Sequence, residues 1–107
     1  MANNYKNAKV DLTTTNATVL YTAPAATTSL IKSILVSEDS GNADTITVTI
    51  TDTASAVFSL FKVKAVSANT TVELLSEPLV VQESEIIKVT AATANRLHVV
   101  ASLLEIS

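Results

Sequence analysis

The sequence contains no cysteine, no tryptophan, one glycine, one histidine and two prolines in 107 residues. Without cysteine there is no disulfide, no thiolate metal site and no thiol nucleophile. One glycine leaves no glycine-rich loop to cradle phosphate, and no Gly-x-Ser-x-Gly elbow is present. Aromatic residues are 4% and charged residues 16%, against a usual charged share of about a quarter. The seven basic residues are scattered and the net charge is −3, which argues against a nucleic-acid binder. No apolar run approaches the ~20 residues that span a bilayer, and the polar start Met1–Asn7 has no signal-like apolar stretch. The expectation is a soluble protein made and used without export.

What the sequence does have is β-branched and aliphatic. Hydrophobic residues make up 48%, enough for one core in a single domain spanning 1–107. In Thr45-Ile46-Thr47-Val48-Thr49-Ile50-Thr51-Asp52 the apolar residues alternate strictly with threonines. A period of 2 places Ile46, Val48 and Ile50 on one face of a β-strand and the threonines on the other. Both sets suit a pleated backbone.

Further strands are expected over Tyr5–Leu12, Ala17–Thr22, Ser29–Ser37, Ala56–Lys64 (where a short helix fits nearly as well), Thr70–Leu75, Leu79–Val81, Glu85–Ala91 and Arg96–Ile106. Residues 1–4 read as a loose arm. The Ser29–Ser37 run is apolar on both sides at several points, which predicts a central strand covered on both faces. Gly41 should supply a positive φ in the hairpin before the threonine strand. Other turns must rely on Asn, Asp and Ser, as in Asp52–Ser55, Ser67–Asn69, Glu83-Ser84 and Thr93–Asn95. Short strands separated by such turns predict an all-β, single-domain antiparallel sandwich of about 8 strands, jelly-roll-like or Ig-like. The apolar closing strand should pair into a sheet.

The inventory for chemistry is short. His98 shares a strand face with Val100, Ser102 and Leu104, a setting in which histidine is usually packed or exposed rather than a base. The loop Glu38–Asp44 offers Asp39 and Asp44 as weak Ca²⁺ ligands, without the spacing of an EF-hand. Glu83-Ser84-Glu85 reads as a solvated turn. For sugar binding the only aromatic platforms are Tyr5, Tyr21, Phe58 and Phe61. Phe58 and Phe61 are expected on opposite faces of their strand. No catalytic residue, resident metal or cofactor is assigned.

The order Val19-Leu20-Tyr21-Thr22-Ala23-Pro24, then Thr28–Val36 with its Lys32-Ser33-Ile34, then the Ser40-Gly41 turn and Thr45–Ile50, resembles small structural proteins of tailed-phage virions. The closing Leu97–Ile106 fits as well. The resemblance implies a non-enzymatic virion subunit made in the host cytoplasm. Capsid decoration (cement) comes first, with a neck or tail accessory role as the alternative. It implies virion proteins as partners (major capsid, or neck and tail), self-association as a trimer or larger ring, and neither nucleic acid nor membrane. Outside the family, a carbohydrate-binding or adhesin module is the competing class. Under the virion reading the threonine face (Thr45, Thr47, Thr49, Thr51), Tyr5 and Phe58 are interface candidates, and the edge strands carry few proline or charge guards against pairing.

Overall fold

A computed structural model of the chain describes residues 3–107. Nine strands follow in order: β1 (Asn3–Asp11), β2 (Thr18–Thr22), β3 (Thr28–Glu38), β4 (Asp44–Thr51), β5 (Val57–Val66), β6 (Thr71–Glu73), β7 (Leu79–Val81), β8 (Ile86–Ala91) and β9 (Leu97–Ile106). Asn3 and Asn4, expected in a loose arm, belong to β1 and pair with Ile106 and Glu105. The rest of that arm lies outside the described residues.

The strands form two antiparallel sheets. Sheet A has the order β1-β9-β3-β6, with β7 also on β3, and sheet B the order β2-β8-β4-β5. The pairs β1·β9, β2·β8, β3·β6/β7 and β4·β5 are nested, so the second half of the chain runs back along the first. Wrapping that long hairpin on itself adds the pairings β3·β9 and β4·β8. This is the jelly-roll arrangement, and it decides between the two sandwich types that the sequence left open. The core between the sheets is aliphatic: Ile31, Ile34, Val36, Ile46, Val48, Ile87, Val89, Val99 and Leu103 are all buried, with Ile50 partly so. The closing strand β9 is central in sheet A, as its apolar content requires.

Bulges explain where simple alternation misleads. In β3, Ile31 pairs with Leu103 and Ser33 with Ser102, so Lys32 has no partner. The extra residue lets Ile31 and Ile34 both face the core although they are three apart. β3 is therefore central but covered on one face only, and Leu35 on its other face is 38% exposed. In β5 two register shifts set Phe58 opposite Ile50 and Phe61 opposite Val48. Both phenylalanines thus lie on one face, contrary to the simple alternation: Phe61 packs on the core, and Phe58 is 55% exposed. The same edge strand carries Lys62, Lys64 and a left-handed Val63 (φ 53), which together guard it against adding strands.

Carboxylates do the work that glycines do elsewhere. Gly41 has φ 84, while Ala26, Ser55, Asn69, Ser84 and Asn95 take left-handed conformations in the remaining turns. Asp52 Oδ1 accepts the N–H groups of Ala54 and Ala56, each at 2.9 Å. Glu85 accepts the N–H of Gln82 within the Glu83-Ser84 turn, and Glu83 that of Ala26 in the β2–β3 turn, so the former turn is bonded rather than merely solvated. Glu73 accepts the Ile34 N–H (2.8 Å) and the Ser33 hydroxyl, satisfying the β3 backbone between β6 and β7. Between the sheets, Tyr21 donates to Glu105 (2.5 Å) and meets Ser29 Oγ at 2.6 Å.

Candidate interaction surface

The register fixes which side chains share the outer face of sheet A. Tyr5 stands opposite Leu104, Leu104 opposite Leu30, and Leu30 opposite Val80. That apolar row crosses the whole sheet, with Tyr5 72% and Val80 52% exposed at its ends and Leu30 and Leu104 half-buried between them. A parallel row runs Lys9–Val100–Leu35–Glu73. Ser102 and Ser33 lie between the two rows, and Asp11, His98, Ser37 and Thr71 form a polar row beyond them. Lys32, displaced by the bulge, sits 5.8 Å from the Tyr5 ring centre. Apolar side chains lined up on a rigid sheet and left open are the mark of a contact surface.

The outer face of sheet B differs in character. Thr45, Thr47, Thr49 and Thr51 lie side by side and are half-buried. Their register partners are Ala65, Thr90, Ser59, Lys88, Val57 and Ile86, so Lys88 is the one charge among them. Thr47 Oγ1 accepts the Val63 N–H at 3.0 Å, bridging one bulge of β5. The interface candidates therefore separate: the four threonines share one face, Tyr5 belongs to the opposite sheet, and Phe58 stands at an edge.

The chemical candidates also part company. Glu38 is buried, and its carboxylate accepts the N–H groups of Ser40, Gly41, Asn42 and Asn69, together with the Ser40 hydroxyl. Burial raises the Glu38 pKa, and the donors from Ser40, Asn69 and Gly41 more than offset it, bringing it from 4.5 down to about 2. Asp44 is buried and accepts the Thr93 N–H, whereas Asp39 reaches His98. The two proposed Ca²⁺ ligands thus point to different partners, and no trio of metal-ligating side chains converges among the described residues.

His98 stands between two carboxylates. Its Nε2 is 3.2 Å from Asp11 and its Nδ1 3.5 Å from Asp39, beside a shallow groove of about 270 Å³ lined by Lys9, Val10, Val99 and Val100. The carboxylates occupy opposite ring nitrogens, so they cannot share an ion with the imidazole, and all three side chains are substantially exposed. The arrangement ties the β3–β4 loop to the end of sheet A.

Reading by residue type overlooked Leu30, Leu35, Val80, Val100 and Leu104. Their signal is a set of apolar residues out of phase with the core set, which within Ser29–Ser37 reads as cover on both faces. No family profile matches this chain, and no curated protein sequence matches it.

Proposed function

We propose that the chain is a non-enzymatic structural subunit of a phage virion, a capsid decoration protein that binds the shell and stabilises it. The observation that carries this reading is the threonine face of sheet B. Four strand-fixed threonines with one charge among their register partners form a rigid footprint, in which Thr45 and Thr49 offer the hydroxyls, since Thr47 Oγ1 accepts the Val63 N–H and Thr51 Oγ1 is buried. Such a face can hydrogen-bond and pack against a neighbour while losing little side-chain entropy. The resemblance of Val19–Ile50 and Leu97–Ile106 to small virion proteins supplies the class of partner. Binding only the assembled shell stabilises it by mass action, without catalysis.

The test is co-sedimentation of the purified chain with assembled tailed-phage heads, together with a melt of the heads. Saturable binding at a fixed ratio and a raised melting point are expected. Thr45→Glu with Thr49→Glu, the latter opposite Lys88, should leave the protein's own melt unchanged and abolish binding; Thr47 is avoided because it bonds Val63. Failure to bind heads, or binding to a glycan array in their place, overturns the proposal.

A further inference from the structure

The rows on the outer face of sheet A have a symmetry that picks out their partner. Consider a two-fold axis parallel to the strands, lying over the seam between β9 and β3. It places β1 of one copy over β6 and β7 of the other, and β9 over β3. Val100 then meets Leu35, and Leu104 meets Leu30. Tyr5 meets Val80, Ser102 meets Ser33, and Lys9 meets Glu73 of the opposite charge. The two apolar rows and the serine pair are each matched with themselves, and Lys9 falls on Glu73, while Asn7 and the bulged Lys32 flank the serine pair. A two-fold axis across the strands would set the Leu104 row against the His98 row and lose this match.

We propose that the outer face of sheet A is an isologous interface, and that its occupant is a second copy of this chain, packed back to back. A closed two-fold contact needs a self-complementary patch, which these rows provide. The size is adequate. Four strands about 4.8 Å apart and about nine residues long, at about 3.4 Å each, give about 600 Å² per copy and about 1,200 Å² in total, above the ~1,000 Å² that a specific interface needs. Two facing sheets of like twist also pack naturally, with side chains interdigitating. The contact requires nothing but the chain itself, so it stands or falls independently of the virion role.

The natural absence of cysteine makes the geometry testable. In one chain Tyr5 and Val80 are separated by two intervening strands, about 14 Å. Across the proposed axis they face each other. The purified chain should sediment at twice its 11.2 kDa mass. Tyr5→Cys with Val80→Cys should be joined into a covalent dimer by a short bismaleimide, which spans the ~10 Å between facing sheets that a disulfide cannot, and neither single variant should. Leu35→Lys with Val100→Lys should yield a folded monomer that still melts cooperatively, at a temperature no longer dependent on protein concentration, with dimerisation weakened more than about a hundredfold. A chain that is monomeric at all concentrations, a trimer or ring, or a dimer whose double cysteine variant does not cross-link would overturn the proposal. If the chain is monomeric alone and the Leu35/Val100 variant loses head binding, the face belongs to the shell, which removes this interface and leaves the virion reading intact.

Discussion

At Glu38 a single side chain replaces what several glycines would otherwise do. Its carboxylate gathers N–H groups from both the β3–β4 hairpin and the turn before β6, and Asn69 lies 31 positions away. In the sequence it looks like one more acid in a solvated loop, because nothing local shows that distant donors converge on it. Gly41, by contrast, was legible, since its need for a positive φ is local. The pH dependence follows from the shifts. Glu38 is held below its ordinary 4.5, at about 2, and Glu73 is lowered too: burial raises its pKa, but hydrogen bonds from Ser33 and from the Ile34 and Leu75 N–H groups outweigh that. Their contribution is present above pH 4.5 and is lost as pH falls through the folded value. Tyr21 runs the opposite way. Burial first, then the Glu105 carboxylate, push its hydroxyl from 10.0 up to about 12, so that stabilisation is present below pH 10 and is lost as pH rises toward 12. Melts across pH should therefore show a plateau with an acid limb and an alkaline limb. Glu38→Gln should lower the neutral plateau and flatten the acid limb, and Tyr21→Phe should remove the alkaline one while costing about 1–3 kcal/mol in lost buried hydrogen bonds.

Among the elements, the threonine strand was fully legible because β4 obeys one period from end to end. β3 and β5 were not, since each changes phase at a bulge and a bulge has no strong sequence mark. Two apolar residues three apart, Ile31 and Ile34, look like coverage on both faces until Lys32 is seen to be unpaired. This makes an asymmetric prediction. Deleting Lys32 joins Ile31 to Ser33 in regular alternation, so the variant should fold and melt cooperatively. Deleting Leu35 instead turns Val36 outward and moves Glu38 off its donors, because a one-residue slip exchanges the faces. That variant should be insoluble or lack a cooperative transition. Circular dichroism melts of the two deletions decide the matter, and equal outcomes would contradict the assigned bulge.

At the scale of the whole molecule, strands distant in sequence make most of the pairings, and Asn3 lies against Ile106. The sandwich class was legible from spacing and turns, whereas the order of strands was not, because no local pattern encodes which strand lies beside which. Nested pairing has a further result. Residues near the two ends of the chain sit on neighbouring strands about 5 Å apart, so a short Gly-Ser link through the terminal residues can close the chain into a ring. The fold then has no topological need for its ends to be where they are. New ends placed between Ala54 and Ser55, in the exposed β4–β5 turn, interrupt no strand. This circular permutant should fold to the same sandwich with a slightly lowered melt. A permutant opened at Ser40-Gly41 cuts the backbone that Glu38 holds and should be far less stable. The protein would then tolerate guest peptides in the first turn and reject them in the second, which gives a jelly roll with one programmable end.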